Sequence, residues 1–290
     1  MGRAKRIPYG VSDFIDIIER NQYYVDKTMY IPKLEDEPDA LFFIRPRRFG
    51  KSLFISMLRA YYDIKRKDKF DKLFGNLWIG SHPTENQGKY QVLFLDFSKI
   101  GGSIDQLEEN FNAYCNECID SFIETYQEYY PERVVESVLK AKTAARKLNA
   151  IGIAAEKKNL PLYLIVDEYD NFTNVVLNEQ GEEVYTALTH ASGFYREIFK
   201  VFKGMFSKIF MTGVSPVTLD DLTSGFNIGW HISTKPAFNQ MLGFSTEDVR
   251  GLFTYYKENG EIRPDSDVEA IIEEMKPWYD NYCFSESALK

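Results

Sequence analysis

One junction constrains this 290-residue chain more than any other: the apolar run Leu41–Ile44, then Arg45-Pro46-Arg47-Arg48-Phe49-Gly50-Lys51-Ser52, then a helical pattern. Leu53, Phe54, Met57, Leu58 and Tyr61 recur at helical spacing, so one face of that helix is apolar. A strand passing into a helix through glycine, lysine and serine gathers backbone amides and a cation at one point. Gly50 lets the backbone pass close to a bound group, and the amides of a helix N-terminus point at negative charge. Lys51 can reach the β- and γ-phosphates of a nucleotide, and the Ser52 hydroxyl can ligate magnesium. Arg47, Arg48, Phe49, Gly50, Lys51, Ser52 and Leu53 are therefore read as the phosphate-binding residues. The general rule G-x-x-x-x-G-K-[ST] has glycine where Arg45 stands. A large side chain there changes the first turn of the loop and puts nucleotide affinity in question. The competing reading is a chance Phe-Gly-Lys-Ser on an ordinary strand–helix turn.

Three further apolar runs, Val92–Phe97, Leu162–Val166 and Ile209–Val214, are continuous rather than alternating, as strands covered on both faces require. Helical patterns separate them. Ile104 to about Lys158 holds at least two helices broken near Pro131, and Glu182 to about Phe202 holds another. Alternating strand and helix predict an α/β fold, a P-loop NTPase three-layer α/β/α domain with a mainly parallel sheet. After Pro236 the pattern turns helical. Ser245-Thr246-Glu247-Asp248 reads as the capped start of a helix whose apolar face is Val249, Leu252, Phe253 and Tyr256, with Gly260 as its stop. A second helix runs from about Asp267 towards Trp278. We divide the chain into residues 1–40, a segment packing on the core, 41–240, the P-loop core, and 241–290, a small lid-like helical appendage.

The run Leu162-Tyr163-Leu164-Ile165-Val166 ends in Asp167-Glu168, the Walker B pattern of an apolar strand tipped by carboxylates. Parallel strands deliver their C-terminal residues to one edge, where Asp167 meets Lys51 and Ser52. Asp167 and Ser52 are the expected magnesium ligands. Glu168 is the expected catalytic base that orients and activates water, with Lys51 as its catalytic cation. Asp170 is read as forming a local turn. Thr212 or Ser215, at the end of the Ile209–Val214 run, is placed to hydrogen-bond the γ-phosphate or the water, or else to make a simple turn. Arg250 reaches the nucleotide only if the appendage folds over it, and otherwise lies on a solvated helix face.

Composition narrows the partners. Lys plus Arg total 35 against 43 Asp plus Glu, a net charge of -8, which argues against a surface dominated by nucleic-acid phosphates. The basic start lacks the apolar run of a secretory signal, and no stretch approaches the ~20 apolar residues of a membrane span, so a cytoplasmic protein is expected. Cys115 and Cys118 lack the second pair or nearby histidine of a metal site and read as core residues one helical turn apart. His82, His190 and His231 have neither metal nor triad spacing.

With these motifs in hand, the chain resembles the bacterial AAA-ATPase-like family. The matching segments are Ile7-Pro8-Tyr9-Gly10-Val11-Ser12-Asp13-Phe14, Tyr24-Val25-Asp26-Lys27-Thr28, Arg45 to Ser52, Val166-Asp167-Glu168-Tyr169-Asp170, Thr212-Gly213-Val214-Ser215-Pro216 and Leu222-Thr223-Ser224-Gly225-Phe226-Asn227. Arg45 is then this family's own pattern. The resemblance implies a five-stranded core, with the Ile7–Thr28 region near the nucleotide base. It also implies a nuclease-like domain after the equivalent of Phe284. The chain stops there and lacks that domain's spaced acids and lysine, so it reads as a fragment not expected to cleave DNA. The expected activity is ATP hydrolysis with ATP and magnesium as cofactors. The alternative is a nucleotide-gated switch, with little turnover of its own, that regulates a linked nuclease domain or a protein partner. A relative that no longer binds nucleotide is a third reading. A homo-oligomer is a possible assembly.

Overall fold

The computed structural model describes residues 4–101, 106–171, 194–215, 229–279 and 284. Among the described residues, five strands form one sheet: β1 (Ala40–Ile44), β2 (Gln91–Asp96), β3 (Leu162–Asp167), β4 (Lys208–Gly213) and β5 (Trp230–His231). Their order is β2-β3-β4-β1-β5, and every pairing is parallel. The four expected strands are present, within one residue of their expected ends. The fifth is two residues long, too short to leave a pattern in the sequence.

Successive side chains of a strand point to opposite faces, and both faces here are covered. Phe42, Leu93, Leu95, Leu162, Leu164, Val166 and Met211 face one core. Leu41, Phe43, Tyr163, Ile165 and Phe210 face the other. Four helices supply the second core: α1 (Phe14–Glu19), α2 (Tyr30–Glu35), α3 (Lys51–Tyr62) and α4 (Phe70–Phe74). The first core is closed by α5 (Leu107–Thr125), α6 (Glu132–Lys140), α7 (Ala144–Lys157) and α8 (Phe194–Met205). The result is the expected α/β/α sandwich.

Two helical spans gain detail from the structure. The Ile104–Lys158 span, expected to hold at least two helices, holds three α-helices among the described residues, because a second break follows α6. Ala141 and Thr143 are extended, with ψ near 139° and 143°. Lys, Ala and Arg crowd this stretch and favour helix, so packing of α6 back on α7 overrides local propensity. The helix expected from Glu182 is seen from Phe194 and runs past Phe202 to Met205; residues 182–193 lie outside the described residues.

Beyond β5 come two further helices in the expected appendage region, α9 (Thr246–Glu258) and α10 (Val268–Tyr279). α9 starts on a complete capping box: the Asp248 amide donates to Ser245 Oγ, and Ser245 N donates to the Asp248 carboxylate at 2.7 Å. The left-handed Gly260, at φ +78°, follows its end. The N-terminal segment is tied to α9. Lys27 Nζ lies 2.6 Å from Asp248, and Tyr23 packs on Tyr255 and Tyr256. Cys115 is buried in the first core, and burial raises its thiol pKa and that of Cys118. No helix among the described residues is long and apolar enough to cross a membrane.

Candidate functional site

The C-terminal ends of β1, β3 and β4 meet at one edge, as parallel pairing dictates. β4 lies between the strand that leads into the loop and the strand that ends in carboxylates, so Thr212 is delivered beside Asp167. Thr212 Oγ1 donates to Asp167 Oδ1 at 2.5 Å, and Ser52 Oγ donates to Asp167 Oδ2 at 2.6 Å. The Glu168 amide adds a third donor to Oδ1 at 3.0 Å. One buried carboxylate thus joins β3, β4 and the first turn of α3.

Lys51 is also buried. Its Nζ donates to the carbonyls of Arg45 at 3.0 Å and Pro46 at 3.2 Å, and lies 3.6 Å from Glu168 Oε1. The loop needs left-handed backbone at Arg48, φ +70°, and at Gly50, φ +88°. A Cβ on Gly50 would meet no atom within 4 Å, so glycine serves the turn here and leaves open space above it. Arg47 and Arg48 are exposed, Phe49 is half-buried, and Leu53 turns its side chain to the second core.

Glu168 sits at φ +52°, a costly conformation for a non-glycine residue, which aims its carboxylate back towards Lys51. Burial raises its pKa, against the opposing pull of Lys51. Such a carboxylate is a stronger base than an exposed one.

Asp170 goes elsewhere. It is fully buried and accepts from the amides of Val214 and Ser215, the latter at 2.5 Å. Tyr169 closes the same junction: its amide donates to Thr212 O and its hydroxyl to Ser215 O. The expected local turn is therefore a clamp on the exit of β4. Of the two sensor candidates, Thr212 bonds Asp167, while the backbone of Ser215 is held by this clamp. Arg250 is half-buried and ion-paired to Glu269 at 2.5 Å and to Glu247, so it is committed to α9 and α10.

Sequence reasoning missed where Arg45 goes. Its guanidinium leaves the loop interior and is buried, donating to the carbonyls of Ile44, Ser233 and Phe238. The signal was present as an arginine in a glycine position, but its partners lie some 190 residues onward, beyond the reach of local pattern.

These residues fit a nucleotide with magnesium. The Ser52 hydroxyl and Asp167 carboxylate form an all-oxygen donor pair suited to a hard cation that keeps waters and phosphate oxygens as its other ligands. Among the described residues no cluster of three or more His, Cys, Asp or Glu offers an alternative metal centre. The space over Gly50, the residue before Lys51, is open.

The family model described as predicted AAA-ATPase matches residues 8–223. The chain belongs to the AAA-ATPase-like family. That family implies nucleotide binding, and its matched region contains β1 to β4 with both motifs. The chain is also 25% identical over 303 residues to an "Uncharacterized protein in vnfD 5′ region" of Azotobacter chroococcum, covering 98% of this chain and 50% of that one. It thus spans about half the length of that curated relative. In this AAA-ATPase-like chain, α9, α10 and Phe284 lie beyond the matched residues.

Proposed function

We propose that this chain is a magnesium-dependent ATPase. The carrying observation is the hydrogen-bonded chain Ser52–Asp167–Thr212, which unites the loop, the acidic strand and the strand between them, with Glu168 and Lys51 beside it. Ser52 and Asp167 would hold magnesium, which screens phosphate charge and polarises the bond to be broken. Lys51 exchanges the Arg45 and Pro46 carbonyls for phosphate oxygens. The amides from Arg48 to Leu53 bind phosphate through the helix N-terminus. Glu168, its basicity raised by burial, takes the proton of the attacking water. Thr212 keeps Asp167 oriented.

Titration of ATP–magnesium into the chain, with Lys51→Ala as control, tests the site. Phosphate release from wild type and Glu168→Gln tests the reaction. Binding lost in Lys51→Ala, with turnover lost in Glu168→Gln, supports the proposal; no binding by wild type overturns it.

A second reading, a nucleotide-gated switch with slow turnover, is favoured by one observation. Arg250, the appendage arginine that a folded-over lid would bring to the nucleotide, is held by Glu247 and Glu269. Tight binding with negligible phosphate release separates the switch from the ATPase. A linked nuclease-like domain, a homo-oligomer and a cytoplasmic location remain proposals attached to either reading.

A further inference from the structure

Arg45 is a buried cation with no carboxylate partner among the described residues. Its backbone extends the sheet: Arg45 N donates to Gly213 O at 3.2 Å, while Arg45 O accepts from Lys51. Its Nη1 donates to Ile44 O and Ser233 O, both at 2.9 Å, and its Nη2 to Phe238 O at 3.3 Å. Nε is buried and has no hydrogen-bond partner. Two aromatic rings flank the guanidinium, Phe43 at 4.3 Å and Phe284 at 4.2 Å from ring centroid to Cζ. The Phe284 ring also meets Phe49 edge-on at 5.3 Å. One ring therefore touches both the first residue of the phosphate loop and the residue before Gly50.

We propose that Arg45 and Phe284 form a clasp that holds the phosphate loop in its binding shape, so that seating of Phe284 and binding of nucleotide reinforce each other. This rests on the phosphate-loop reading above. A glycine at position 45 would leave the first turn of the loop free. An arginine fastened by three carbonyls and two π faces fixes the same carbonyl that Lys51 uses. Burial pushes the guanidinium down to about 10, which leaves it charged at neutral pH and short of a counter-charge. Any ligand that stabilises the clasp is bound more tightly when the clasp is closed, because coupling between two sites is reciprocal. Arg45 is thus a positioning residue, and Phe284 its partner from outside the region the family model matches.

The test uses the full 290-residue chain as wild type, Phe284→Leu and Phe284→Tyr. Leucine keeps apolar bulk but removes the π face, and tyrosine restores it. ATP–magnesium affinity is measured by titration, and amide hydrogen exchange of residues 47–51 is measured without nucleotide. We expect Phe284→Leu to bind about fivefold more weakly, a coupling of ordinary size, and to exchange faster in the loop, with Phe284→Tyr like wild type in both. Equal affinity and equal loop exchange in wild type and Phe284→Leu overturn the clasp. If no variant binds nucleotide, the nucleotide reading fails by itself. Loop exchange then decides the clasp alone, and exchange unchanged by Phe284→Leu overturns it.

Discussion

The two sides of the loop handle buried charge differently. On the β3–β4 side, Asp167 and Asp170 are buried and each accepts several hydrogen bonds. On the β1–β5 side, Arg45 is buried with only carbonyls and ring faces around it among the described residues, and its Nε has no hydrogen-bond partner among them. Compensation by short-range hydrogen bonds makes a rigid site. A cation held by carbonyls and ring faces instead fastens the loop to a distant part of the chain. Under the two proposals above, the acidic side carries the chemistry and the basic side holds the loop.

The largest expected effect breaks the acidic side. Glu168→Gln should lower phosphate release about a thousandfold, the scale of a lost general base, while nucleotide binding persists. Single-turnover phosphate assays check this. Next, Lys51→Ala should weaken ATP–magnesium binding about a hundredfold, since it removes a buried charged donor, as titration will show. Asp170→Ala strands the amides of Val214 and Ser215 and should cost about 3 kcal/mol in denaturant unfolding, without touching the nucleotide directly.

Smaller effects sharpen the comparison. The pKa of Glu168 is raised in the fold, so its neutral form is favoured there and its ionisation opposes folding. Its favourable contribution is full below the ordinary carboxylate range and is lost as pH rises through the raised value. Glu168→Gln should therefore be more stable than wild type at neutral pH, with the advantage fading in acid. Thermal melts across pH check the sign. The acid limb of the hydrolysis profile should likewise sit above the ordinary carboxylate range. Least of all, Arg250→Ala should leave turnover unchanged, because its ion pairs are exposed and belong to the appendage. A large loss of turnover in that variant would mean that the appendage reaches the nucleotide.

Legibility followed the range of the interactions. The α/β class, four strands to within a residue, and the cap and stop of α9 were all readable, because they rest on neighbours a few positions apart. The break after α6 was not, since Lys140 to Lys147 is rich in helix formers and only packing on α7 ends the helix. The two-residue β5 could not be read either, because it exists only as an addition to the edge of β1.

By itself the sequence determined that Lys51, Ser52, Asp167 and Glu168 end at a common edge, because apolar strands in a parallel sheet all release their chains on the same side. Only the tertiary structure decided that Thr212 lies beside Asp167, that Asp170 clamps β4, and that Arg45 turns towards Ser233, Phe238 and Phe284. Each of these depends on which strand neighbours which and on partners tens to hundreds of residues away. Local periodicity and spacing carry no record of such contacts, which exist only once the sheet has closed.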